Sequence, residues 1–373
     1  MTREQTTPSR PDAWGPLLRH RLEQVMSDGI TEGAFPGGVV LVRHRNEVVL
    51  HEAYGHSVTH RDAHTISSDQ IVTRPGTIYD LASITKLFTA TCVMQLVDEN
   101  KVQLDERVAM HLPEFAVNGK ANITVRQLLA HVAGLPNFRL WKEATTRQAR
   151  IRLLISSKPE SSPGIELLYS DTNFIVLGKL IEEIERCTLD RAIAARILSS
   201  LGLRQTGYGP LDVSSADVAA TEDESYVGRG MLRGEAHDEN AWSLGGVAGH
   251  AGLFGTAQDL STFGQSYLNG GMHGVVELLK PGTVAEMTRN QLGQLGSRGL
   301  GWQLDAAHYM GSLASPQTYG HTGFTGTSIV IDPRRELVLV LLTNRVHPTR
   351  HGPNVDPVRC AVADAVLAAV EAV

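Results

Sequence analysis

Apolar residues recur at helical spacing at both ends of the chain and through its middle, with strand-like runs between. Trp14, Leu17, Leu18, Leu22, Val25 and Met26 repeat opposite Arg19, His20, Arg21 and Glu23, and Gly29 supplies a stop signal, which predicts a first helix. Gly37 to Val42 and Val48 to His51 read as two strands around a polar turn at Arg43 to Glu47. A polar stretch from Ser57 to Arg74 follows, to which the pattern assigns no element. Thr77 to Asp80 then leads into a long helix predicted from Ile84 to Glu99. Ile123–His131, Thr145–Ile155, Asn173–Arg186 and Leu189–Ser200 also carry helical spacing. Gly202 to Gly255 is Gly-rich and polar and reads as loops. Thr327 to Ile331 and Glu336 to Thr343, joined by Asp-Pro-Arg-Arg, form a predicted hairpin, and Val358 to Val370 closes the chain as a helix.

Strands near both ends and helices between them predict an α+β protein. One antiparallel sheet is built from both chain ends and flanked by the terminal helices, with a mostly helical unit inserted. The expected division is residues 1–82 with 250–373 for the sheet and 83–249 for the insertion, with the active site between them.

Composition narrows the function classes. The chain has 373 residues, 42% hydrophobic and 20% charged, with a net charge of -6, which excludes a disordered protein. A mildly acidic chain without a basic run offers nothing for nucleic acid, and no apolar run is long enough for a membrane span. Cys92, Cys187 and Cys360 are too few and too scattered for a disulfide framework or a zinc knuckle. Met1 to Pro16 has no secretory apolar core, so a cytoplasmic setting is expected.

Several chemistries lack their usual residues. There is no G-x-S-x-G elbow, phosphate-binding loop or H-E-x-x-H helix. Gly245 to Gly249 does not link a strand to a helix in dinucleotide-binding fashion, and reads as a flexible wall loop. His44, His51, His56, His60 and His64 crowd one segment, but no spaced carboxylate or thiolate joins them, so solvated histidines rather than a metal site are expected.

The sole S-x-x-K is Ser83-Ile84-Thr85-Lys86, at the start of the second helix. A serine there is served by free backbone N–H groups and the positive helix end. Lys86 lies one turn on, on the same face, and burial with the helix dipole is expected to lower its pKa, so that a neutral amine can take the serine proton. The competing reading makes Ser83 an N-cap with Lys86 solvated. Tyr169-Ser170-Asp171 places a phenol just before another helix, a general base if it lies beside the ammonium. The alternative is a core Tyr before an N-cap. His321-Thr322-Gly323-Phe324 precedes a strand, where glycine lets backbone approach a substrate.

In this order the three segments resemble the serine β-lactamase and penicillin-binding-protein superfamily, in particular its class C-like serine hydrolases. Leu128 to Pro136, Gly249 to Phe254 with Asp259-Leu260, and Gly299 to Trp302 are similar to further family stretches. The resemblance implies a β-lactamase-like fold, Ser83 as the acyl-forming nucleophile, and Lys86 with Tyr169 as the proton-transfer pair. It also implies the backbone N–H groups of Ser83 and Phe324 as the oxyanion hole. Asp171, His321, Thr322 and Gly323 would contact substrate, and His131 would be a structural helix residue.

Two positions depart from the family pattern. Asp171 stands where Asn is frequent, and an acid there holds Lys86 as an ammonium and shifts the proton burden to Tyr169. His321 stands where a lysine is frequent, which weakens dependence on a substrate carboxylate and argues against an efficient β-lactamase. The expectation is a hydrolase of esters or small amides without cofactor or metal, with a small-molecule substrate and neither nucleic acid nor membrane as partner. Acyl transfer and D-amino-acid amide or peptide hydrolysis are alternatives on the same acyl-enzyme. D,D-carboxypeptidase and β-lactamase activity are less favoured. A catalytically silent binding protein is the non-enzyme alternative.

Overall fold

The computed structural model describes residues 15–209, 211 and 217–372. Trp14 and the polar residues before it lie outside the described residues. Helix α1 (Gly15–Thr31) leads into β1 (Gly37–His44), β2 (Glu47–Asp62) and β3 (Thr65–Val72). After a long excursion, β4 (Gln303–Leu304), β5 (Tyr319–Thr322), β6 (Ser328–Asp332) and β7 (Leu337–Thr343) complete a seven-stranded sheet in the order β4-β5-β6-β7-β1-β2-β3. The central pairing is antiparallel between the two chain ends, with Val40 opposite Leu341 and Val42 opposite Leu339.

Alternation decides which side chains face which layer. Val40, Val42, Val330, Leu339 and Leu341 pack with Leu18, Leu22 and Met26 of α1 and with Val358, Val362 and Val366 of the last helix, α5 (Asp356–Val370). Val39, Leu41, Ile329, Val338 and Val340 face the other way, onto Phe263 of α4 (Ala257–Leu268). A Cβ at Gly264 would stand 2.9 Å from Val338, so glycine here lets α4 lie close on the sheet. Each of these fully buried apolar side chains stabilises the fold by about 2 kcal/mol.

In the part of the chain between the two sets of strands runs α2 (Thr85–Asp98), buried at every residue from Thr85 to Met94. A helix buried all round must be packed on several sides. Against it lies α3 (Asp171–Glu185), N-capped by Ser170, whose hydroxyl accepts from the Thr172 N–H. Among the described residues no helix is long and apolar enough to cross a membrane.

Three expectations need correction. The stretch from Ser57 to Arg74 is not without elements: β2 continues to Asp62 and β3 follows as the sheet edge. Register shifts between His56 and Asp62 break the alternation that reveals a strand. His44, His51, His56 and His60 therefore stand on strands and only His64 on a turn. The region from Gly202 to Gly255 contains short strands at Gly207–Tyr208, Ala220–Asp223, Met231–Arg233 and Leu253–Gly255, and a helix at Glu239–Ser243. Residues 210 and 212–216 within it lie outside the described residues.

Candidate active site

The chain reaches Ser83 through a constrained turn. Asp80 ends a short strand, Tyr79–Asp80, paired with Leu253–Gly255. Ala82 follows with φ of 47°, a left-handed conformation that costs a non-glycine residue on the order of 1 kcal/mol. The Asp80 carboxylate is buried and divided between two backbone donors, Ala82 N–H and His237 N–H, each at 2.8 Å. Burial pushes the Asp80 pKa up, against those two hydrogen bonds. Ser83 is half-buried in the Ala82–Ile84 turn, and neither that turn nor α2 has a side-chain cap, so Ser83 is not an N-cap.

Lys86 is fully buried. Its Nζ donates to Ser83 Oγ at 2.8 Å and to the His250 carbonyl at 3.3 Å, and lies 2.8 Å from Asp171 Oδ1. The Tyr169 ring centroid is 4.9 Å away, close enough for the phenol to favour the charged amine. Burial works against the charge, but Asp171 and Tyr169 outweigh it, and the Lys86 pKa is raised. The lowering expected from burial and the helix end is thus overturned, and the ammonium expected from an acid at position 171 is what results. A counter-ion from the start of α3 reverses what burial alone would do.

The other sequence candidates line one cleft of about 400 Å³ with Ser83 and Tyr169: His321, Thr322, Gly323 and Phe324. Hydrogen bonds seat this wall on the serine turn. Thr325 Oγ1 donates to the Asp80 carbonyl at 2.7 Å and Thr327 Oγ1 to the Leu81 carbonyl at 3.2 Å. Arg359 of α5 donates to the Gly323 and Thr327 carbonyls at 3.0 and 2.8 Å. A Cβ on Gly323 would fall 2.6 Å from the Leu81 carbonyl, which only glycine avoids. Asp171 sits behind Lys86 rather than among the residues lining the cleft.

His321 is buried, with Nδ1 2.7 Å from the Thr322 carbonyl and no hydrogen-bond partner at Nε2 among the described residues. Burial, then the Lys86 and Arg298 cations, push its pKa well below the ordinary range, so the imidazole is neutral. His131 is not a helix residue. It follows the helix Val125–Leu129 in a left-handed conformation with φ of 58°. From there Nδ1 accepts from Ser170 N–H at 3.2 Å and the ring stacks on Tyr169 at 4.4 Å between centroids. Burial, Arg298 and Lys86 keep this ring neutral too.

Three further residues, to which the sequence reading assigns no role, complete the site. Asn137 donates to the Tyr169 carbonyl at 3.2 Å and accepts from Asp171 N–H at 2.8 Å, fixing the tyrosine and the acid together. Asp238 and His250 approach Lys86 from behind, joined by a 2.8 Å contact between Oδ1 and Nε2. Asn137 follows the Leu128–Pro136 stretch directly, so its position was the available signal. The loops from Gly202 to Gly255, with His237 to Asn240, are expected from sequence to line the pocket, but Asp238 stands behind the lysine and not among the residues lining the cleft.

Neutral buried imidazoles make stability pH-dependent. A histidine whose folded pKa is depressed contributes fully above its unfolded value of about 6.5 and loses that contribution as pH falls. His131 and His321 share this behaviour with His347, whose pKa burial lowers to about 4. Protonation of His347 in the unfolded chain alone is expected to cost about 3 kcal/mol between pH 6.5 and 4. Urea unfolding at pH 7 and pH 5 should show about 2 kcal/mol of this loss, and equal stability at both would contradict it.

Comparison with known proteins fits this geometry. The family profile described as Beta-lactamase matches residues 22–363, nearly the whole chain. The chain belongs to the beta-lactamase family. A Salmonella agona relative bearing the provisional name D-alanyl-D-alanine carboxypeptidase is 34% identical over 370 aligned positions, covering 91% of this chain and 85% of that one. Among solved structures, EstCE1, described as a hydrolase with promiscuous acyltransferase activity, superposes with a TM-score of 0.73 at 25% identity, covering 94% of this chain and 99% of its own. A penicillin-binding-protein homologue from Caulobacter crescentus gives 0.75 at 23% identity, covering 96% and 98%, and shares the fold. This beta-lactamase-family chain is accordingly a serine hydrolase of α+β, β-lactamase-like architecture.

Proposed function

We propose that the protein hydrolyses esters or small amides through an acyl-enzyme on Ser83. The observation that carries this is the contact chain Ser83–Lys86–Asp171, two steps of 2.8 Å each, at one cleft with Tyr169 and Phe324. With Lys86 held as an ammonium, Tyr169 is the general base that accepts the Ser83 proton while Oγ attacks the carbonyl carbon. The backbone N–H groups of Ser83 and Phe324 stabilise the oxyanion. Tyr169 then gives its proton to the leaving oxygen or nitrogen, and water repeats the sequence on the acyl-enzyme. His321, Thr322 and Gly323 position the substrate along β5, and Asp171 acts through Lys86.

A second reading has its own support. Arg298 and Arg345 line the same cleft, and among the described residues neither pairs with a carboxylate within 4.0 Å. They favour a substrate bearing a carboxylate, such as a D-amino-acid peptide, in keeping with the name of the Salmonella relative. A cytoplasmic setting belongs to this proposal and is supported by the three free cysteines.

Side-by-side assay of p-nitrophenyl esters, D- and L-alanyl p-nitroanilides and a D-alanyl-D-alanine peptide tests the substrate class, with a competing alcohol added to reveal acyl transfer. Esters are expected to turn over fastest, with D- over L-selectivity among amides. Turnover of the peptide alone would replace the ester reading with the second one. No turnover of any substrate by folded protein would overturn both.

A further inference from the structure

Behind the Lys86 ammonium lies a second acid that the serine–lysine–tyrosine scheme does not use. Asp238 caps the helix Glu239–Ser243, and its Oδ1 accepts from Ala241 N–H at 2.7 Å. The same oxygen lies 2.8 Å from His250 Nε2, and the His250 carbonyl accepts from Lys86 Nζ at 3.3 Å. One carboxylate oxygen of Asp171, one of Asp238 and a ring nitrogen of His250 fall within 4.8 Å of one another. Asp171 pairs directly with the buried ammonium, and Asp238 stands one step further back, reaching it through His250.

The placement is built, not incidental. Thr89 Oγ1 donates to the Gly249 carbonyl at 2.8 Å and Thr85 Oγ1 accepts from Leu253 N–H at 3.2 Å, so α2 holds the His250 segment at both ends. A Cβ on Gly249 would stand 2.0 Å from the Phe174 carbonyl, so this strand of chain is wedged against α3. Next to Asp238, His237 N–H is bound by Asp80, the residue that braces the turn before Ser83. Residues 237 and 238 therefore reach the serine turn directly and the lysine through His250.

We infer that Asp238, acting through His250 and beside the Asp171 carboxylate, is a positioning residue that sets the charge state of the Ser83–Lys86–Tyr169 group. This rests on the acyl-enzyme reading above. The carboxyl is suited to the role: burial opposes its charge, but His250, the Ala241 N–H and Lys86 outweigh burial and hold it well below the usual carboxylate range. The ionisable groups around the pair are Asp171 and Tyr169 on the α3 side, His250 on the wedged segment, and Asp80 at the serine turn. Arg298 and the neutral His131 and His321 face Lys86 from the cleft side. Deleting one negative charge from this cluster makes every proton in it easier to lose, because an opposite charge within about 4–6 Å shifts a pKa by one unit or more.

Asp238→Asn tests the idea, since Asn keeps the cap acceptor and the shape and removes only the charge. The readout is the pH dependence of ester kcat/KM and of fluorophosphonate labelling of Ser83 in the full-length protein. The acid limb is expected to move about one pH unit lower than in wild type. Asp238→Glu, which keeps the charge and disturbs the shape, is expected to leave the limb in place at a reduced maximum. If Asp238→Asn fails to fold, Asp238→Ser, another capping residue without charge, should show the same displacement. A reduced maximum with the limb at its wild-type position in the uncharged variant would reduce Asp238 to a cap and overturn the inference. Wild-type protein that is not labelled at Ser83 would instead overturn the acyl-enzyme reading itself.

Discussion

Ser83→Ala is expected to lower kcat/KM for esters by about 10⁴-fold or more while leaving the unfolding midpoint unchanged. The size follows from chemistry: no other hydroxyl in the cleft is held 2.8 Å from a buried ammonium. The unchanged stability follows from the surroundings. The hydroxyl is half-buried, caps no helix, and its loss leaves Lys86 still paired with Asp171 and the His250 carbonyl. A variant that retained more than about a tenth of the activity would place the nucleophile elsewhere, whatever its stability.

Lys86→Met has the second largest expected effect, on activity and stability together. Methionine keeps the length of the stem and removes the ammonium, so kcat/KM should fall about 10³-fold. Asp171 then loses its cation. Removing one member of a buried ion pair costs 3–5 kcal/mol, but Asp171 is 28% exposed, and water offsets part of this, leaving about 2 kcal/mol. Asp171→Asn added to Lys86→Met should recover stability without recovering activity. Urea unfolding of the two variants separates these effects. Equal stability in both would mean that the pair carries no charge of consequence.

The parts of the fold that sequence revealed are those governed by local periodicity. Leu18, Leu22 and Met26 mark α1, the apolar runs mark the hairpin of β6 and β7, and the spacing of Ser83 and Lys86 on one helical turn places their polar atoms in contact. The long β2 was hidden because its register shifts erase alternation, and the short strands after Gly202 are too brief to show any. The helix of Lys86 alone suggests a neutral amine, whereas Asp171, legible as a departure from the family pattern, points to the ammonium that the contact with α3 maintains. His131 was misplaced for a similar reason: its left-handed turn is stabilised by contacts to Ser170 and Tyr169 that have no local signature. Asp238 and His250 matter only once α2 and the wedged segment are packed together.

The central claim is that Ser83 is an activated nucleophile. Intact-protein mass after incubation with a fluorophosphonate, with wild type and Ser83→Ala in parallel, tests it most directly. A single adduct on wild type, absent from the variant and mapped by peptide digestion to Ser83, is the predicted result. An adduct of equal yield on both proteins, or on neither while both remain folded, would contradict it.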